Sequence, residues 1–507
     1  MWLDRGVPDV ESMTRDELIA HARRQDAQIT ALATQLADVT DRFEQAAEKL
    51  AKLEHLISRN SSNSNFPSSK DGGPGGTVPP RRQRRAQPGG RKKGKQPGDP
   101  GTALAWSDTA DRVDRFPEGP CACGADLADA EDLGIVDRYQ QHEIPLVTVS
   151  VTQYDQHAVA CACGQMHTAA RPEGAGVGRI EYGPNLRAFV LYLLVVHYVP
   201  VHRVREILTA LTGAEPSVGF IHSLISRAAR QLHAVDQLIR TLITLAVAVC
   251  CDETPLKTGP ATPATGKKEA KGYLHVACTE LYTHYLLGDR SLETFKQFIY
   301  LKMNPDAVIV HDRYTAYDSD QLGALTHQLC LQHTLRDLAT AIELYPDQAW
   351  PAQAADSLRE LIHRANQARQ RGEAHLAPAL AKIGTRGLRS AVALGLRHTE
   401  DLYDTRPGAR KTRLLLEALR EREADFLRFT TDLRIPPTSN QAERDLRPAK
   451  IQEKISGRLT DTTRTQERYT IRGVLSTATK HGQNAIGVLR DMFCGRLWTP
   501  PAAGAPA

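Results

Sequence analysis

Three acidic residues stand out for what surrounds them: Asp252, Asp312 and Glu443. Asp252 closes the apolar run ThrLeuAlaValAlaValCysCys at 244–251, and Asp312 closes AlaValIleValHis at 307–311. Short apolar runs of this kind read as strands of a sheet covered on both faces, and the ends of such strands are where α/β folds present chemistry. Glu443 follows ProProThrSerAsnGlnAla, where Ser439 or Asn440 can cap a new helix. Its charge then falls in the first helical turn, which the helix dipole favours. Carboxylates that converge repel one another, so they persist together when cations neutralise them, and hard oxygen donors select Mg²⁺ or Mn²⁺. Two such ions about 3.5–4 Å apart activate an attacking oxygen and stabilise a departing one, which is chemistry for phosphodiesters. The same three residues also fit a plain surface, where acids after apolar runs are common.

A second constellation is built from cysteine. Cys121-Ala-Cys123-Gly and Cys161-Ala-Cys163-Gly repeat one tetrapeptide, with strand-like sequence at 143–152 between them. Four thiolates in two pairs suit tetrahedral Zn²⁺, and a glycine after the second cysteine lets backbone amides turn toward sulfur. The single residue inside each pair is shorter than structural zinc sites usually use, so free thiols are the alternative. His157 and His167 are possible substitute ligands.

The remaining chain must position these groups. Residues 340–430 are helical, charged and rich in Ala, Leu and Arg, and read as an insertion between the second strand-end aspartate and Glu443. Upstream, 186–199, 204–211 and 217–232 read as helices, the last two joined by ThrGlyAlaGluPro as in a helix-turn-helix, with Arg227 and Arg230 on the final helix. Leu18, Ala22, Ile29, Leu32, Leu36, Val39, Phe43, Ala46, Leu50, Leu53 and Ile57 keep a heptad rhythm that requires burial against another helix, which implies self-association. Residues 59–100 are polar and rich in Gly and Pro, a composition that does not order itself. Within them Arg81, Arg82, Arg84, Arg85, Arg91, Lys92, Lys93 and Lys95 form an acid-free block suited to a polyanion such as DNA, or to a solubilising linker.

Composition sets the outer limits. The chain has 507 residues, 41% hydrophobic and 24% charged, with a formal net charge of +5, so partner preference lies in how charge is distributed. The longest apolar run, 188–201, is broken by His197 and Pro200 and is too short for a membrane helix. No basic region followed by an apolar core opens the chain, and its nine cysteines are an odd number, so a reducing, cytoplasmic setting is expected.

Several motifs, in order, give the chain a recognisable likeness. CysAspGluThrPro at 251–255, AspArgTyrThrAlaTyr at 312–317, AsnGlnAlaGluArgAspLeuArgPro at 440–448 and the LysIleSerGlyArg…LysHisGly segment at 454–482 resemble the insertion sequence 66 family of bacterial transposases. ArgAsnSerSerAsnSer at 59–64, GlyArgLysLysGlyLysGlnProGly at 90–98 and the paired Cys-x-Cys unit are similar to that family's linker and zinc-binding segment. The resemblance implies an α/β fold with an RNase H-like core at 241–495. It also implies an Asp-Asp-Glu triad of Asp252, Asp312 and Glu443 binding Mg²⁺ or Mn²⁺, and structural Zn²⁺ on Cys121, Cys123, Cys161 and Cys163.

Ahead of that core the reading places a coiled-coil helix at 1–58, the linker at 59–100, a zinc unit at 101–175 and a helical DNA-binding domain at 176–240, with a disordered tail at 496–507. Cys330 and His333 are similar to a Cys-x-x-His pair that follows the second aspartate in such transposases, and support the site or contact DNA. Lys450, Lys454 and Arg458 are further candidates for DNA contacts. The implied activity is cleavage at transposon ends and strand transfer into target DNA. A homo-oligomer, small accessory proteins, no membrane and a location at the bacterial nucleoid complete the expectation. A structure-selective nuclease of the same fold, or a DNA-binding protein without catalysis, are the competing readings.

Overall fold

A computed structural model of the chain describes residues 14–16, 19–21, 23, 105–143, 147–176, 178–262, 271–400, 406 and 408–501. The heptad run at 18–57, apart from 19–21 and 23, lies outside the described residues, as does the basic linker with Arg81, Arg82, Arg84, Arg85, Arg91, Lys92 and Lys93. The rest divides into two compact units. One takes the described residues of Pro79–Asp155 with Arg205–Glu215, the other those of Gln156–Val204 and Pro216–Ala507.

In the smaller unit Cys121 begins a tight turn that leads into a 3₁₀ turn at Leu127–Asp129, capped by the Asp126 side chain. The strand expected at 143–152 does not form among the described residues there, and Val147, Val149 and Val151 are exposed. Apolar alternation makes a strand only where a neighbouring strand accepts its hydrogen bonds.

The larger unit opens with an antiparallel hairpin, β1 (Ala158–Ala160) and β2 (Met166–Thr168). Helix α1 (Pro184–Leu191) widens into a π turn at Tyr192–Val196, where a single helix to residue 199 was expected. Pro200 follows closely, and Tyr198 takes the left-handed conformation at φ 59°, so the α-helical ladder cannot continue. Helix α2 (Val201–Thr212) comes next; its residues from Arg205 onward belong to the smaller unit. Ser217 then caps α3 (Val218–Thr244), accepting from the Phe220 amide at 3.1 Å. That helix runs well past the expected residue 232, because Val235, Ile239 and Ile243 continue its buried stripe.

Five strands make the main sheet: β3 (Ala248–Leu256), β4 (Gly272–Cys278), β5 (Thr283–Gly288), β6 (Val308–His311) and β7 (Thr326–Leu329). Their spatial order is β5-β4-β3-β6-β7. The β5, β4 and β3 strands are mutually antiparallel, while β6 and β7 run parallel to β3. The short helix α4 (Leu292–Gln297) lies between β5 and β6. Strand β7 was not anticipated, because ThrHisGlnLeu is half polar. Its Gln328 is nonetheless fully buried, donating to the Phe426 carbonyl at 3.0 Å and accepting from the Phe429 amide at 2.9 Å.

After β7 the chain is helical, beginning earlier than the expected residue 340: α5 (Leu331–Leu344), α6 (Trp350–Gln370), α7 (Pro378–His398), α8 (Ala409–Glu421) and α9 (Glu423–Leu427). Helices α10 (Asn440–Ser456), α11 (Thr462–Lys480) and α12 (Ala485–Phe493) close the unit. Cys250, Val276, Val310 and Leu329 from one face of the sheet share a single core with Leu338, Trp350, Leu358, Leu415, Phe426 and Ala442. The inserted helices are therefore packed into the same body as the strands. No helix among the described residues is long and apolar enough to cross a membrane.

Candidate active site

Sheet register decides the placement of the two aspartates. Strands β3 and β6 are parallel, and Cys250 lies opposite Val310. Two residues further on in each strand direction stand Asp252 and Asp312, so the separation of 60 residues in sequence is also the register offset. Neighbouring strands are about 4.8 Å apart, and residues two apart share a face. Asp252 and Asp312 therefore lie on the same face as Cys250 and Val310, toward the core shared with the inserted helices. Each aspartate commits its Oδ1 to a local backbone amide, Asp252 to Glu253 N at 2.8 Å and Asp312 to Tyr314 N at 2.9 Å. That leaves Oδ2 of each for other work. Burial, then Glu253 and Asp312, raise the Asp252 pKa well above the ordinary carboxylate range.

Glu443 sits in the first turn of α10, as its sequence position implied. A buried polar cluster two residues on holds that helix. Asp445 accepts from Lys480 Nζ at 2.8 Å, from Thr283 Oγ1 at 2.9 Å and from Gln441 Nε2 at 3.0 Å, while its carbonyl accepts from the Tyr285 hydroxyl at 2.6 Å. Strand β5 and helices α10 and α11 are pinned together there. Glu443 itself faces α5. Arg336 reaches both its oxygens, at 3.3 and 3.4 Å, and His333 Nε2 is 3.8 Å away.

His333 is the neighbour common to all three acids. Burial disfavours its charge, but Cys330, Asp252 and Asp312 more than offset that and hold its pKa up to about 9. Cys330 is itself buried, which raises a thiol pKa, yet His333 and the Ser439 amide, 3.2 Å from Sγ, bring it below the usual value. Arg336 was not singled out from the sequence. The signal was available, because a residue three after His333 on a helix shares its face.

The donor set suits a hard divalent cation: carboxylate oxygens, with Asp252 in a setting where its charge is costly unless neutralised. Glu443 is turned onto Arg336 and His333, and among the described residues no three His, Cys, Asp or Glu side chains gather as a metal-binding group. Lys450 and Arg458 bind the end of β3 and the chain just after it, Lys450 Nζ donating to the Pro255 carbonyl at 3.0 Å and Arg458 to the Thr258 carbonyl at 3.1 Å. Lys454 is exposed. Arg227 lies over the Phe220 ring, 5.5 Å from its centroid, and Arg230 is exposed.

The two Cys-Ala-Cys-Gly segments fold alike. In each, the first cysteine's amide donates to the carbonyl four residues on at 2.8 Å, and the glycine's amide donates back to that cysteine's carbonyl at 2.8 Å. Gly124 and Gly164 take φ 92° and 86°, a conformation that a side chain would strain. The Ala125 amide, then the Cys121 thiol, lowers the Cys123 pKa. The Cys163 amide, then its thiol, does the same for Cys161. Such turns favour thiolate, the form that ligates metal. All four cysteines are exposed.

A family model described as Transposase IS66 family matches residues 179–467, more than half of the chain. The match begins just ahead of α1 and ends within α11, so it contains Asp252, Asp312 and Glu443; the cysteine turns precede it. No curated protein matches the chain. With that span, the chain belongs to the IS66 family of transposases.

Proposed function

We propose that this chain cuts DNA at transposon ends and joins the freed ends to target DNA, using Asp252, Asp312 and Glu443 as the ligands of divalent cations. The observation that supports the reading is the parallel pairing of β3 and β6 through Cys250 and Val310, with Asp252 and Asp312 each two residues further along and Glu443 in the first turn of α10. The sheet order β5-β4-β3-β6-β7, with three antiparallel strands followed by two parallel ones, supports an RNase H-like core. Bound Mg²⁺ or Mn²⁺ would supply charge neutralisation at the scissile phosphate and a more acidic water.

In the first reaction a water oxygen bonds to phosphorus, the bond to the 3′ oxygen breaks, and that oxygen leaves as a hydroxyl. In the second, this hydroxyl bonds to a target phosphorus and displaces the target's own 3′ oxygen. The chain's part is placement. Asp252 would present its remaining oxygen from within β3 and Asp312 from just past the end of β6, and Glu443 would complete the set by leaving Arg336. His333, charged and close to all three acids, restrains their repulsion while the site is being filled.

The cysteine turns would hold structural Zn²⁺. The heptad segment would join copies of the chain, and the basic linker, with Lys450, Lys454 and Arg458, would contribute affinity for DNA in the bacterial cytoplasm at the nucleoid. Small accessory proteins would complete the apparatus.

The test is cleavage of terminal-repeat DNA by the purified chain with Mn²⁺. The unaltered protein should give nicked ends and strand-transfer products. Asp252→Ala should bind the same DNA and give neither; cleavage retained in that variant would remove Asp252 from the mechanism. Cleavage without any joined product would favour a nuclease.

A further inference from the structure

Glu253, next to Asp252 in sequence, points to the opposite face of the sheet. Its side chain is only 1% exposed. A carboxylate so placed is expensive unless its oxygens are satisfied, and a buried ion pair replaced whole by apolar residues often costs nothing. Both oxygens are satisfied here. Oε1 accepts from Arg290 Nη2 at 2.5 Å, and Oε2 accepts from the Tyr317 hydroxyl at 3.0 Å.

These partners come from different strand ends. Arg290 follows β5, and Tyr317 lies in the turn after β6, five residues beyond Asp312. The Arg290 guanidinium also stacks between Tyr314, 4.3 Å from the ring centroid, and Tyr273 of β4 at 5.0 Å. Tyr314 is the residue whose amide holds Asp312 Oδ1, and its hydroxyl reaches back to the Arg290 carbonyl at 3.4 Å. Tyr317 is fixed in turn by stacking on His311, 4.2 Å between centroids, and by edge contact with Phe295 at 5.1 Å. A closed circuit thus runs from Asp252 through Glu253 and Arg290 to Tyr314 and Asp312.

We infer that Glu253, Arg290 and Tyr317 form a latch on the far face of the sheet that fixes the spacing of Asp252 and Asp312, making Glu253 a positioning residue for cation binding. The inference rests on the proposed role of that aspartate pair. Backbone pairing alone does not do this work, because the pairing of β3 with β6 stops at Cys250 and Val310, two residues short of the acids. Beyond it, the latch ties the two chains. Groups outside a ligand shell that orient its members are typically worth about 10–100-fold in metal affinity.

The experiment titrates Mn²⁺ into the full chain and three variants, Arg290→Ala, Tyr317→Phe and Glu253→Gln, by calorimetry. It also follows unfolding temperature and amide exchange at 312–318. Arg290→Ala and Tyr317→Phe should each bind Mn²⁺ about tenfold more weakly and exchange faster at 312–318, measured where both variants remain folded, since Arg290→Ala also lowers global stability by leaving buried Glu253 without its cation. Glu253→Gln, which keeps one acceptor oxygen for Arg290 and can donate its amide to the Tyr317 hydroxyl, should lie between them and the unaltered chain. Mn²⁺ affinity unchanged in folded Arg290→Ala and Tyr317→Phe would overturn the latch. So would affinity lost only in step with global unfolding, which would make these residues merely structural. If the unaltered chain takes up no Mn²⁺, the reading of the aspartates fails first and the latch fails with it. Where Glu253→Gln does not fold, half-exposed Arg290 still decides the matter.

Discussion

The two faces of the main sheet meet the same chemical problem at one strand end and solve it differently. On one face Glu253 is a finished carboxylate, with a guanidinium on one oxygen and a phenol on the other. On the opposite face its neighbour Asp252 has a backbone amide on Oδ1 and the shared His333 nearby, with Glu253 and then Asp312 pressing negative charge upon it. Adjacent residues, equally acidic, are thus one satisfied and one short of positive charge. A carboxylate supplied with its own cation is built to stay as it is, whereas one short of positive charge is built to receive a cation. Glu443 stands between these conditions, since Arg336 pairs with it at a distance long enough to be exchanged.

The contrast can be broken most sharply at Asp252. Asp252→Asn keeps size and the local amide contact but removes the charge, and should reduce DNA cleavage to background in a gel assay while DNA binding by anisotropy persists. If the pair is only structural, cleavage will survive. Next comes the buried anchor of the glutamate helix. Asp445→Ala strands the Lys480 ammonium, 12% exposed, without its partner, and should cost about 3–5 kcal/mol in denaturant unfolding. A cost near zero would mean that α10 is held by apolar packing alone.

A smaller effect, of opposite sign, is expected at Arg336. Arg336→Ala frees Glu443 and should tighten Mn²⁺ binding by a few-fold in calorimetry; weaker binding would show that Arg336 orients the glutamate instead of competing for it. The mildest prediction concerns the thiols. Alkylation follows the thiolate, so with pKa values below the usual thiol, Cys123 and Cys161 should label with iodoacetamide at lower pH than a free peptide cysteine. Burial pushes Cys250 up to about 12, so it should label only on unfolding. Mass spectrometry of labelled peptides across pH distinguishes the two classes.

Much of this was legible in the chain before any coordinates. Apolar runs ending in Asp252 and Asp312 announced strands β3 and β6, and Asp312 does follow the end of its strand, whereas Asp252, expected at a strand end, lies inside β3, which runs on to Leu256 because those residues keep pairing with β4. The helix start at Ser439 and Asn440 announced where Glu443 would stand. Residues 340–430, read as an insertion, are helical through most of their length, because long amphipathic spacing needs no partner to be recognised. Local signals failed where neighbours decide. Strand β7 is short and half polar, and only pairing with β6 makes it a strand. The run at 143–152 has strand composition, yet its described residues form no strand.

The sequence by itself determined which residues can carry charge and metal chemistry, and which segments carry the turn and helix signals that present them, because those are properties of single residues and their near neighbours. Tertiary structure alone decided which acids are satisfied. Asp252 and Glu253 are indistinguishable in a string of letters, and a strand sends them to opposite faces. What awaits each one there comes from chain 60 or more residues away for Asp312, His333 and Tyr317, and 37 away for Arg290. Electrostatics falls off with distance in space, not along the chain, so the difference exists only once the sheet has closed.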